Sequence, residues 1–150
     1  PLPGAAPMSW SNAYVGLPWA DLGRGRDGAD CWGLACIIYQ EELGIGLPDY
    51  LGYSSAEERG EIAALIAGAE TSPLWLPVDG PAIAFDIAVF RRGRFASHVG
   101  IVVRHGLMIH MEGDDCAKLA DYSSGSWKPR FKGHYRHVER PVQIVTEARR

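Results

Sequence analysis

Asp30-Cys31-Trp32-Gly33-Leu34 heads an apolar run that reads as a helix. Before it, Asp21 to Asp30 sets Gly23, Gly25 and Gly28 among Arg24 and Arg26 without hydrophobic periodicity, and reads as a loop. After it, Leu34, Ile37, Ile38 and Glu41-Glu42 fall at helical spacing as far as Leu43, and Gly44 follows as the stop. Cys31 is therefore expected in the first turn of a helix. Unpaired N–H groups and the macrodipole favour an anion there, and the thiolate is the nucleophilic form of cysteine. On position alone the plainer reading, a small buried apolar side chain, is the better one. Partners elsewhere in the chain have to decide.

The 150 residues, 47% hydrophobic and 22% charged, suit one globular domain with its own core. Residues 1–8 are expected to be an extended Pro/Gly/Ala lead. A net charge of −3 makes no electrostatic case for nucleic acid or for an anionic membrane. No apolar run approaches the roughly 20 residues that cross a bilayer. The chain starts at Pro1 without a basic, apolar leader or an early lipidated cysteine, so no membrane anchor is expected. Cys31, Cys36 and Cys116 are too few and too odd in number for a disulfide framework, which favours folding in a reducing compartment.

In order along the chain, Ser9 to Tyr14 opens a short helix, and Tyr14-Val15-Gly16-Leu17-Pro18-Trp19 turns into the glycine-rich loop. Ser55 with Glu58 makes a capping box. Ile62, Leu65, Ile66 and Ala69 continue it as an amphipathic helix from about Ala56 to Ala69. Thr71 to Pro81, holding Pro73 and Pro77, reads as a linker. The period then changes to that of strands: Asp86 to Phe90, His98 to Val103, Leu107 to Glu112 and Phe131 to Arg136, with turns at Arg91–Arg94 and Arg104–Gly106 and a polar loop from Tyr122 to Trp127. Helices first and an antiparallel meander afterwards is the α+β pattern.

Centring the second turn on His105 sets Gly100 opposite His110 and His98 opposite Glu112. His98 and Gly100 share a face, so His110 lies diagonal to His98, about 7–8 Å away between backbones and within ring-to-ring hydrogen-bond reach. A Cys-His-polar triad needs this geometry: one imidazole takes the thiol proton and a second group orients it.

Asp30-Cys31-Trp32-Gly33-Leu34, Ser97-His98-Val99-Gly100-Ile101 and His110 on the next strand together resemble the NlpC/P60 family of papain-like cysteine peptidases. The resemblance runs from Tyr14–Trp19 through Trp127 and Gly133-His134-Tyr135-Arg136. The Trp after the cysteine and the Arg91-to-His98 approach are similar to the branch found in phage tails and gene transfer agents. The resemblance implies a papain-like fold and cleavage of amide bonds in peptidoglycan stem peptides, typically between D-glutamate and diaminopimelate, with no cofactor. It assigns Cys31 as nucleophile, His98 as base and His110 as orienting residue, with Trp19, Asp30 and Ser97 lining the substrate. Tail-tip or hub proteins of a phage-like particle would be its partners. The particle tail would be its location, with synthesis in the cytoplasm and action at the cell wall.

Two positions depart from the family. Trp19 stands where a Tyr hydroxyl is common, and an indole can donate one N–H but accept nothing. Phe85 stands before Asp86 where Gly is usual, at a turn. Asp30 either contacts a substrate amine or caps the helix, and Ser97 is similarly open. Cys36 reads as packing, and Cys116 and His105 as exposed. His134 and His137, in a basic run with Lys128, Arg130, Lys132 and Arg136, read as a solvated face. Trp127, Phe131 and Tyr135 read as core and edge packing. Two other functions compete: a structural tail component that keeps the fold with little or no activity, and a zinc site on Cys31, His98 and His110. The zinc site lacks metal-binding cysteine spacing.

Overall fold

The longest strands form where β-branched and aromatic residues are concentrated. The computed structural model describes residues 10–49, 74–92, 95–111 and 115–139; the expected helix over 56–69 and Glu112 lie outside the described residues. A small hairpin, β1 (Arg24–Gly25) with β2 (Gly28–Ala29), sits inside the stretch expected to be a loop. The helix α1 (Cys31–Ile38) follows and widens into a π turn over Tyr39–Leu43. Then come β3 (Trp75–Pro77), β4 (Ile87–Arg92), β5 (Phe95–Arg104), β6 (Leu107–Met111), β7 (Ala117–Asp121) and β8 (Phe131–His137). These six make one antiparallel sheet in the order β3-β8-β4-β5-β6-β7. The α+β architecture is the one expected, and the helix stops at Gly44 as expected, in the left-handed conformation (φ 67°) that glycine adopts freely.

Two strands of this sheet were also not foreseen. Trp75–Pro77 lies in the supposed linker, and it is short, at the sheet's edge and ended by proline, where proline is tolerated. Ala117–Asp121 holds no β-branched or aromatic residue, so its pairing with β6 outweighs its propensity.

Side chains leave the sheet on two sides. Ile87, Val89, Val99, Ile101, Ile109 and Met111 join Leu34 and Ile38 of α1 in the main core, while Ala88, Phe90, Val102, Met108 and Tyr122 build a second one. An isolated helix shorter than ~12 residues is marginal in water. The eight residues of α1 are therefore held by burial: Leu34 and Ile38 are fully buried, each contributing about 1.5–3 kcal/mol.

The turn at Phe85 explains the glycine expected there. Phe85 takes φ 73°, which costs a non-glycine residue on the order of 1 kcal/mol. Three contacts hold it: its N–H donates to the Val102 carbonyl (2.8 Å), its carbonyl accepts from Tyr39 Oη, and its ring stacks on Trp10 at 4.4 Å.

The basic run at the C-terminal end is not one solvated face. Lys128 and Lys132 are exposed, but His134 and His137 are buried, and Arg136 forms a two-pronged pair with buried Asp86 (2.8 Å each). Tyr122 Oη lies 2.6 Å from His134 Nε2. Burial pushes Tyr122 up to about 12, so its hydroxyl keeps its proton and donates. Burial and neighbouring His105 hold His134 down to about 4, so it stays neutral and accepts.

His134 binds its proton near 6.5 when unfolded but only near 4 when folded. Between those values only the unfolded chain takes up the proton, so stability falls as pH drops through that window. Urea unfolding at pH 7 and pH 4.5 should show this loss, and His134→Gln should remove on the order of 2 kcal/mol of it. A pH slope unchanged by the substitution would refute the assignment.

Candidate active site

Cys31 is the first residue of α1, partly exposed, and Asp30 before it is the N-cap. Asp30 has extended backbone (φ −89°, ψ −170°), and its Oδ1 accepts from Gly33 N at 2.8 Å. The same oxygen accepts from Arg24 Nη1 at 2.7 Å. Arg24 also donates to the Gly23 carbonyl (2.8 Å) and, through Nε and Nη2, to the Asp49 carbonyl (3.0 and 2.8 Å). One guanidinium thus ties the β1–β2 hairpin, the helix cap and the chain beyond α1 together. Of the two readings left open for Asp30, the cap is the one its geometry displays. Its Oδ2 is buried and has no hydrogen-bond partner among the described residues.

The other residues of the opening motif hold the cysteine from behind. A Cβ on Gly33 would run into the Gly23 carbonyl oxygen, so the hairpin can approach the helix this closely only because residue 33 is glycine. Trp32 is buried, donates from Nε1 to the Pro48 carbonyl at 2.7 Å and meets Trp75 edge-on. Cys36 lies 3.7 Å from the same carbonyl, and burial pushes its thiol up to about 12, in keeping with a packing role. None of the three cysteines is in a disulfide.

The approach to Cys31 is tied to one end of the sheet. Pro18 bridges to Cys116, Trp19 bridges to Ala29, and Trp19 N donates to the Asp115 carbonyl at 3.1 Å. β6 runs through His110 toward that same connection, so the helix start and the histidines occupy one end of the sheet. Trp19, expected to line the substrate, is half-buried and packs against the main core. Ser97 lies within β5, its side chain outside the described residues.

The histidine pair forms as the register anticipated. Gly100 stands opposite His110, and a bulge near Val103 absorbs the shift introduced by the turn. His98 and His110 are both buried, with His98 Nε2 3.0 Å from His110 Nδ1. Helix α1 packs against both strands that carry them. A direct ring-to-ring hydrogen bond occupies one nitrogen of each imidazole. Among the described residues no group of three or more His, Cys, Asp and Glu side chains is placed to hold a metal ion. The zinc alternative is therefore unsupported by the geometry.

Residues 16–136 match the NlpC/P60 family over four-fifths of the chain. The chain belongs to the NlpC/P60 family. A curated relative, the gamma-DL-glutamyl hydrolase of Bacillus subtilis, is 27% identical over 140 residues, covering 90% of this chain and 30% of that protein. The chain therefore spans about a third of that relative's length. Among solved structures, an NlpC/P60 family protein from Bacillus cereus superposes with a TM-score of 0.64 at 20% identity, covering 92% of this chain and 41% of that one. The NlpC/P60 domain of the peptidoglycan hydrolase SagA superposes at 0.54 and 20% identity, covering 81% and 92%. At such identities the likeness establishes the fold: this is the papain-like NlpC/P60 fold.

One neighbour of the histidine pair in this NlpC/P60 domain was not assigned from sequence. Trp127, expected to serve as packing, stacks on His98 (5.0 Å between centroids, 20° between planes) and meets His110 edge-on at 5.0 Å. It arrives from the loop before β8, and only the fold reveals its neighbours.

The cap yields a direct expectation. Asp30→Ala should cost about 1–2 kcal/mol from loss of the cap, and more from leaving Arg24 without its carboxylate. Asp30→Asn keeps the Gly33 bond and should recover part of the loss in thermal unfolding. Equal stability of Asp30→Ala and the parent would refute this role.

Proposed function

We propose that this domain is a cysteine peptidase acting on amide bonds of peptidoglycan stem peptides, with Cys31 as nucleophile, His98 as base and His110 as its orienting partner. The buried His98–His110 hydrogen bond, on two strands against which the helix beginning at Cys31 packs, carries this reading. When His98 Nε2–H donates to His110 Nδ1, His98 Nδ1 is left unprotonated and able to take a proton. Cys31 sulfur then attacks the carbonyl carbon, and its proton passes to His98. The resulting oxyanion is stabilised at the N-terminus of α1, where the backbone N–H of Cys31 and the helix dipole favour negative charge. Collapse breaks the C–N bond, and the imidazolium protonates the departing amine. Water, deprotonated by His98, then cleaves the thioester and releases the carboxylate and the thiol.

The named activities of relatives support the substrate class: one is a peptidoglycan hydrolase and another a gamma-DL-glutamyl hydrolase, so γ-glutamyl amides of stem peptides are the first substrates to try. Delivery in the tail of a phage-like particle, docked on tail-tip or hub proteins, completes the proposal. Its support is the resemblance of the Cys31-Trp32 variant and of the Arg91-to-His98 approach.

The test is incubation with diaminopimelate-containing stem peptides and with sacculi, followed by mass spectrometry of the products. The parent should release one new amine and one new carboxylate. Cys31→Ala and His98→Ala should be inactive, and His110→Ala should lower kcat by about 10²–10⁴. Turnover retained by Cys31→Ala would end the proposal. Absence of turnover both by the free protein and by intact particles would favour the structural tail role.

A further inference from the structure

We infer that Trp127 is a positioning residue for His98, and that Arg130 holds Trp127 in that place. The inference rests on the reading of His98 as the base. A hydrogen bond at Nε2 fixes where one corner of the imidazole points. A flat ring laid against the imidazole bears on its plane as well, and with it on the direction of Nδ1. Trp127 is so placed. Its indole lies nearly parallel to the His98 ring, 5.0 Å away at 20°, and presents itself to the His110 ring at 80°. The indole thus covers both partners of the bond. Excluding water from a buried hydrogen bond strengthens it.

Trp127 is itself held on two sides. Phe90, opposite His98 on the paired strand, meets it edge-on at 5.1 Å. The Arg130 guanidinium stands 4.1 Å over the indole, a cation–π contact. Arg130 is fixed in turn by the Ser126 carbonyl (3.0 Å) and Ser126 Oγ (3.4 Å), across the 3₁₀ turn Lys128–Arg130. Ser126, Trp127 and Arg130 therefore close a small loop whose one inward group lies on the base. A ring needed only to fill the second core would not have to lie parallel to the imidazole, nor to carry a charge on its face.

The experiment compares Trp127→Leu, Trp127→Phe and Arg130→Gln with the parent in a Cys116→Ser background. Three readouts are followed: iodoacetamide alkylation of Cys31 by peptide mass spectrometry, stem-peptide cleavage, and the His98 Hε1 resonance. Melting temperature is the control for folding. Trp127→Leu should slow alkylation and kcat by about 10- to 100-fold, with KM nearly unchanged, as misaimed reacting groups do. Its His98 Hε1 resonance should lose the upfield displacement imposed by the indole. Trp127→Phe should restore most of both rates, and Arg130→Gln should fall between. Unchanged rates and resonance in Trp127→Leu would overturn the inference. So would a Phe variant that falls as far as Leu in proportion to its lost stability. A parent that alkylates at Cys31 with the expected Trp127 dependence but cleaves no stem peptide would overturn the substrate proposal alone. If Cys31 reacts no faster than an exposed thiol, the nucleophile assignment falls, and the His98 resonance still decides whether Trp127 sets the ring.

Discussion

Asp30 Oδ1 accepts two hydrogen bonds at once, from the Gly33 amide and from Arg24, and the placement of Cys31 depends on it. The helix is too short to persist alone, so its start must be set from outside. Arg24 does so by reaching from the hairpin to the cap and on to the chain after the helix. Its charge also offsets that of Asp30, leaving the helix N-terminus, with no acidic residue in its first turn, free to favour an anion at Cys31. The close approach of Gly33 to Gly23 then locks hairpin and helix into one body.

The sheet meets a different demand. It must bury two polar rings beside apolar cores on both faces, and each polar group then needs a partner. His98 and His110 satisfy one another, while Tyr122 with His134 and Arg136 with Asp86 do the same farther along. Gly100 leaves room for the Met108 side chain beneath the histidines, since a Cβ there would collide with its Sδ. The two histidines are thus bounded by packing rather than by an open, solvated surface.

Much of this was legible in the residues, because the signals involved are local. The helix start at Asp30-Cys31, its end at Gly44 and the strands β4, β5, β6 and β8 follow from periodicity and turn chemistry. The register that sets Gly100 opposite His110 follows from the turn at His105. What stayed hidden depends on contacts distant in sequence. Nothing in Ala117–Asp121 favours a strand until β6 lies beside it. Arg24 looks like any loop arginine until Asp49 comes back to it. Trp127 and His134 read as ordinary aromatic and basic residues, because the groups that define them stand on other strands. Phe85 shows the reverse: its departure from the expected glycine marked a backbone strain that the structure displays at φ 73°.

The widened turn at Tyr39–Leu43 bears on how such a domain can change length. A π turn is the form an α-helix takes when it absorbs one additional residue. Here the extra residue is taken up while Tyr39 still reaches Phe85 and Gly44 still closes the helix. The helix has in effect a tolerant end and an intolerant one. Insertions and deletions accumulated in its history are expected to collect at the far end, leaving the cap at Asp30 and the reach of Cys31 untouched.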